Sequence, residues 1–162
     1  MNIRIGLFLC LFIHIVLQAQ RHQAKVIGVK DGDTIEILWE GKGKSVRLAH
    51  VDCPEKKQAF GMRAKEFVSR FCYGKTVEII ISSKPDRYGR WIAEIFYNNQ
   101  NLNKELIRNG LAWHFKKYSK DEVYAELEKI ARGKRLGLWQ EQHPIAPWEW
   151  RKNKKDQRKV GL

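Results

Sequence analysis

From residue 24 onward the chain breaks into short apolar runs whose spacing predicts five strands and three helices. Ala24 to Lys30 and Thr34 to Trp39 are β-prone runs joined by Asp31-Gly32-Asp33, and Asp-Gly between two such runs is a strong hairpin signal. A second turn, Glu40 to Lys44, leads into Ser45 to Val51, where Val46 and Leu48 alternate with polar neighbours until Pro54 stops the strand. Phe60, Ala64, Phe67 and Phe71 then recur at helical spacing, and Gly74 closes that helix. Thr76 to Ser82 and Trp91 to Tyr97 are two further strands, separated by the charged loop Lys84 to Arg90. A short helix follows over Leu102 to Asn109, capped by Asn101 and ended by Gly110. Another spans Asp121 to Arg132, with Val123, Leu127, Ile130 and Ala131 on its apolar face.

Five short strands with inserted and appended helices predict an α+β fold, and a five-stranded Greek-key OB-fold-like barrel with three helices fits best. Barrels of that kind commonly bind oligonucleotides. No internal repeat and no interdomain linker interrupts the pattern. At 162 residues, 43% hydrophobic, the chain can bury a proper core, which excludes a disordered or low-complexity protein.

Both ends depart from this pattern. Arg4 precedes the apolar run Ile5 to Leu17, which is about 13 residues long and ends at Gln18-Ala19-Gln20. That is short for a membrane span, which needs roughly 20 residues. Residues 1–19 are therefore expected to be a signal peptide, with an uncleaved anchor and a buried helix as alternatives. The remaining protein would be secreted or periplasmic, without a membrane anchor. At the other end, residues 151–162 carry Arg151, Lys152, Lys154, Lys155, Arg158 and Lys159 against Asp156, a net +5 with almost no apolar content. A disordered basic tail is expected there, either an electrostatic arm for nucleic acid or a solvated end.

Charge narrows the partner. Lys plus Arg total 31 against 18 Asp plus Glu, a formal charge of +13. Such a surplus points to a polyanion, nucleic acid before an anionic membrane. A membrane-surface protein would need a basic amphipathic helix, whereas residues 121–132 mix both signs. The chain has three cysteines and no CxxC pair, which argues against a zinc site. Cys53 and Cys72 could pair in an oxidising compartment, but free thiols are expected. His50 and His114 read as packed residues, Trp148 and Trp150 as anchors for the C-terminal segment.

In so basic a chain, the places where carboxylates gather draw notice. Asp31 and Asp33 flank the first turn, and Asp52 and Glu55 follow the third strand. Such clusters repel themselves unless a cation or an arginine sits among them. Oxygen ligands suit Ca²⁺ or Mg²⁺. Arg47 precedes the second cluster, and Arg87 and Arg90 share a loop with Gly89; guanidinium forks match phosphate. A cation, a carboxylate base and two arginines are what phosphodiester hydrolysis requires.

Lys30-Asp-Gly-Asp-Thr34, Val46-Arg-Leu-Ala-His-Val-Asp-Cys-Pro-Glu55 and Asp86-Arg-Tyr-Gly-Arg90 together resemble the staphylococcal nuclease (thermonuclease) family. The resemblance continues through Asn103, Arg108-Asn-Gly-Leu-Ala112 and Gly137-Leu-Trp139, and covers roughly residues 24–150, so residues 20–150 are read as one such domain. It implies an OB-fold barrel with three helices and a monomeric Ca²⁺-dependent endonuclease that cuts DNA and RNA with little sequence preference, leaving 3′-phosphates. By the same resemblance Asp33, Asp52 and the backbone carbonyl of Cys53 would ligate Ca²⁺, with Asp31 a secondary acidic neighbour. Glu55 would be the general base or water positioner, and Arg47 and Arg90 would bind the scissile phosphate. Arg87, Tyr88 and Tyr118 would contact the nucleotide. Cys53 stands where the family usually has Thr, which leaves a main-chain ligand intact; Lys116 replaces a tyrosine, and Trp91 a small residue. The alternative reading is a non-catalytic nucleic-acid-binding OB-fold module, as in degenerate members that lack part of this charged set.

Overall fold

The structure, a computed structural model, describes residues 20–159. The expected signal peptide lies outside the described residues. Among these residues no helix is long and apolar enough to cross a membrane.

Five strands form a closed barrel: β1 (Arg21–Val29), β2 (Thr34–Trp39), β3 (Lys42–Leu48), β5 (Thr76–Ser83) and β6 (Trp91–Tyr97). Their order is β3-β2-β1-β5-β6, and the parallel pairing of Val46 to Leu48 with Trp91 to Ala93 closes the ring. Two short strands, β4 (Val51–Asp52) and β8 (Trp113–His114), pair with each other outside it, while β7 (Gln100–Asn101) extends the edge at β6. Ile35, Ile37, Val46, Leu48, Val77, Ile79, Ala93 and Ile95 alternate inward and fill the interior. The helix α1 (Gly61–Cys72) presents buried Ala64, Val68 and Cys72, with Phe67 and Phe71 packed at the margin of the same core.

Helix α2 (Leu102–Arg108) begins at Asn101, whose side chain accepts a hydrogen bond from Lys104 N, as its sequence predicts. Buried Asn103 ties this helix to the barrel: its Oδ1 accepts from Ile95 N, and its Nδ2 donates to Ala49 O and Ala93 O. Helix α3 (Glu122–Gly133) is capped by Asp121. A 3₁₀ turn (Gly137–Gln140) follows, and then a fourth helix, α4 (Pro147–Lys159).

Several expectations are corrected here. Among the described residues there are four α-helices rather than three, because the basic stretch expected to be disordered continues α4 as far as Lys159. The third strand does not run from Ser45 to Val51. It ends at Leu48, and His50 turns the chain with a left-handed φ of 67° before β4 starts. Trp113 and His114 form β8, which pairs with β4. The buried face of α3 overlaps the expected one in part: Ala131 is buried and Leu127 packs at the margin of the core, but Tyr124 and Glu128 also point inward while Val123 and Ile130 are exposed. Glu128 can be buried because its carboxylate accepts from His114 N and pairs with Lys116 and Arg132.

The hairpin at Asp31-Gly32-Asp33 forms, but Gly32 is required there for space rather than for a left-handed φ. A Cβ at Gly32 would lie 2.7 Å from the Cβ of Ala64 and 2.8 Å from that of Cys53. The turn therefore lies directly on α1 and on the segment after β4. Gly32→Ala is expected to overpack this junction and cost about 1–3 kcal/mol, which thermal denaturation would show as a lower Tm.

Cys53 and Cys72 are free and buried, the Cys53 thiol donating to Gly32 O and the Cys72 thiol to Val68 O. Burial raises both thiol pKa values, that of Cys72 to about 12 and that of Cys53 well above the ordinary value. In native protein at pH 8 both should resist alkylation by iodoacetamide over hours, and both should react within minutes in denaturant.

Candidate active site

The first hairpin, the end of β3, the β4 segment and the loop before β6 converge at one end of the barrel. At their centre is Arg47, nearly enclosed. Its Nη1 donates to Leu48 O and Val51 O, each at 2.9 Å. Its Nη2 lies 3.0 Å from Asp52 Oδ1 and 3.1 Å from Asp33 Oδ2. One guanidinium nitrogen thus holds two carboxylates side by side. Asp33 is fixed further, because its Oδ2 accepts from Cys53 N at 2.8 Å and its Oδ1 from Thr34 Oγ1 at 3.2 Å. The Cys53 thiol anchors the same segment to Gly32.

Electrostatics follow from this crowding. Burial raises the Asp52 pKa, opposed by the guanidinia of Arg151 and Arg47. Asp31 is raised too, by burial and then by the Asp33 charge; its Oδ1 accepts from Asp33 N at 3.1 Å. Burial works against the charge on Arg47, yet Asp33 and Asp52 outweigh it and raise its pKa.

Arg90 reaches the cluster from the other side. Its Nε donates to Asp86 Oδ2 at 2.8 Å, and its Nη1 lies 3.3 Å from Thr34 Oγ1, the hydroxyl that also contacts Asp33. Asp86 shapes this loop as well, accepting from the backbone N–H groups of Tyr88 and Arg90. Burial is the largest single influence and opposes the Asp86 charge, but the bonds from Arg90 and Tyr88 together prevail and lower its pKa. Gly89, at φ 74°, lets the loop turn back sharply. Arg87 and Tyr88 sit beside Arg90, with the Arg87 guanidinium 4.8 Å and that of Arg90 5.4 Å from the Tyr88 ring centre.

Glu55 follows β4 on a turn held by Gln58, whose Oε1 accepts from Glu55 N and whose backbone N–H donates to Glu55 O. Its carboxylate is half-exposed and joins the cluster through Arg151, a residue the sequence reading placed only in the basic tail. Arg151 Nη1 lies 2.9 Å from Glu55 Oε1 and 3.3 Å from Asp52 Oδ1, and its Nη2 lies 2.7 Å from Asp52 Oδ2. The signal that could have found Arg151 is its spacing from Trp148. Trp148 packs on Trp113 (5.5 Å) and stacks on Phe115 (5.7 Å), and a residue three further along a helix lies on the same face. Trp113 is the register partner of Asp52, so the helix is delivered to that carboxylate.

The structure thus brings together Asp31, Asp33, Arg47, Asp52, Cys53, Glu55 and Arg90, with Arg87 and Tyr88 at the margin. Tyr118 is apart from them. It is 74% exposed and lies edge-on to Phe115, on the α4 side. His50 and His114 share the Ser119 hydroxyl at 2.8 and 3.0 Å and pack on Tyr124, as expected of structural residues. Trp91 lies edge-on to Trp39 with Lys44 above it.

The paired carboxylates of Asp33 and Asp52 are hard oxygen donors, the type that divalent cations such as Ca²⁺ and Mg²⁺ take. Among the described residues no group of three or more His, Cys, Asp or Glu side chains forms a metal cage. The fit is to an ion that shares few protein ligands and retains water, as Ca²⁺ and Mg²⁺ do.

Comparison with known proteins agrees with this arrangement. Residues 45–141 match the family described as Staphylococcal nuclease homologue. An uncharacterized endonuclease of Haemophilus influenzae is 40% identical over 158 residues, covering 95% of this chain and 88% of that protein. An uncharacterized endonuclease of Escherichia coli O157:H7 is 37% identical over 93% of this chain and 97% of its own length. A micrococcal nuclease of Shigella flexneri is 34% identical, with 83% of each chain covered. With a shared sequence of this extent, a closed five-stranded barrel and the family's charged residues gathered at one end of it, the chain belongs to the staphylococcal nuclease homologue family.

Proposed function

We propose that this nuclease is a Ca²⁺-dependent endonuclease that hydrolyses phosphodiester bonds of DNA and RNA with little sequence preference, leaving 3′-phosphates and acting outside the cytoplasm. The observation that carries the reading is the pair of carboxylates, Asp33 and Asp52, held on Arg47 with Glu55 and Arg90 on either side. Asp33, Asp52 and the carbonyl of Cys53 would hold Ca²⁺, which when bound supplies positive charge against a phosphate oxygen. Glu55 is exposed enough to meet water and accepts its proton as the water oxygen bonds to phosphorus in line. The bond from phosphorus to the 5′ oxygen breaks, and that oxygen leaves with a proton from solvent.

The two arginines are prepared differently. Arg90 is aimed by Asp86 and Thr34, and its planar fork meets the phosphate as charge develops. Arg47 has Nη1 committed to two carbonyls and Nη2 to two carboxylates, which leaves Nε–H for the substrate. Arg87 and Tyr88 flank Arg90 and offer a cation and a ring to the neighbouring nucleotide. The protein needs no stable partner for this chemistry and acts as a monomer.

Glu55→Gln removes the proton acceptor at constant size, and Arg90→Lys keeps charge but loses the fork. Each should slow cleavage of single-stranded DNA at least about a hundredfold while oligonucleotide affinity changes much less. Chelation should abolish cleavage and added Ca²⁺ restore it. Wild-type protein that binds DNA yet never cleaves it with Ca²⁺ would leave the binding-module reading in place.

Export is tested separately. The protein recovered from its native compartment should begin near Gln20 when its N-terminus is sequenced. An intact Met1 in the cytosolic fraction would sink this part of the reading.

A further inference from the structure

Asp52 is almost wholly buried, its side chain 1% exposed, and both its oxygens are engaged by guanidinia. The two arginines that engage it are held very differently. Arg47 is 12% exposed and pinned by the carbonyls of Leu48 and Val51. Arg151 is 44% exposed, and its described hydrogen bonds go only to Asp52 and Glu55. Its helix is seated at the near end by Trp148 against Trp113 and Phe115, and by Trp150 beside Pro54 and Gln58 in the wall of a cavity of about 130 Å³. Residues 152–158 of the helix are exposed and mostly basic. Arg151 therefore sits on a fixed hinge point with a free path to solvent, while Arg47 has none.

We propose that Arg151 is the resident counter-cation of the site, that it competes with the divalent ion for Asp52 and Glu55, and that it thereby sets the protein's cation affinity. The inference rests on the reading that the site takes Ca²⁺. Four carboxylates, Asp31, Asp33, Asp52 and Glu55, meet at this end of the barrel, and Arg47 alone leaves them in excess. Arg151 relieves that excess in the free protein. A cation arriving on Asp52 would share the carboxylate with a guanidinium whose Nη2 is 2.7 Å from Oδ2, and like charges at such separations repel strongly in a partly dehydrated site. The guanidinium swings outward about the Trp148 anchor, and the work of displacing it is subtracted from cation binding. The cation affinity of the site is then a property of α4 as much as of the ligands.

Calcium titration by calorimetry, without nucleic acid, on the full chain and on Arg151→Gln and Arg151→Lys tests this, with Tm measured for each protein without and with Ca²⁺. Arg151→Gln should bind Ca²⁺ at least about tenfold more tightly than wild type, because one competing charge is gone. It should have a lower Tm without Ca²⁺ and a larger upward shift of Tm on saturation. Arg151→Lys, which keeps the charge, should stay within about threefold of wild type. A lower Tm for Arg151→Gln with an unchanged or weaker Ca²⁺ affinity would make Arg151 a structural clamp and overturn the proposal while leaving the Ca²⁺ reading intact. A wild-type protein and an Arg151→Gln variant that both fail to bind Ca²⁺ would overturn the Ca²⁺ reading and the proposal together.

Discussion

The guanidinium of Arg47 is the contact on which the site depends. It lies at the end of a barrel strand, where an unpaired charge would be prohibitively costly to bury. Two carbonyls and two carboxylates surround it, and they come from the first hairpin, the end of β3 and the β4 segment. Each partner justifies the burial of the others. Without Arg47, Asp33 would lose its ion-pair partner and Asp52 would keep only Arg151; without the two carboxylates, Arg47 could not be enclosed. Breaking a pair of this kind by removing one member typically costs several kcal/mol, because the remaining charge stays buried and uncompensated.

The contacts around that cluster are arranged to keep it rigid. Gly32 allows the hairpin to lie against Cys53 and Ala64, which brings Asp33 within reach of the Cys53 amide. Thr34 touches both Asp33 and Arg90, so the loop carrying Arg90 is coupled to the Asp33 and Asp52 pair through one hydroxyl. Glu55 alone among the acidic residues here keeps a substantial opening to water. Preorganisation of this sort suits a reaction in which charge develops at a fixed point in space.

Most of the barrel was legible in the sequence because its strands obey a period of two and its turns carry Gly, Asp or Asn. The legible part includes β2 and β6 over their full lengths and the Asn101 cap. What escaped has physical causes. His50 adopts a left-handed φ without being glycine, and its ring is held by Ser119 and Tyr124, contacts no local pattern encodes. The inward face of α3 contains Glu128, which hydropathy assigns to solvent and which only its partners His114, Lys116 and Arg132 make burial-compatible. The candidate site was legible where its residues sit in compact motifs, through Arg47, Asp52, Glu55 and Arg90. Arg151 was invisible there, since it lies among five other basic residues and 99 positions from Asp52.

That separation bears on how the molecule comes together in time. Hairpins and the β3 to β6 closure can form once residue 97 is available, whereas the contact between Arg151 and Asp52 must bring together the two ends of a far longer loop. Long loops close late, because the chain entropy they lose is not repaid until the rest of the fold supports them. In a chain growing from its N-terminus, all five barrel strands are available before residue 151, so Arg47 can pair with Asp33 and Asp52 before the counter-charge of α4 exists.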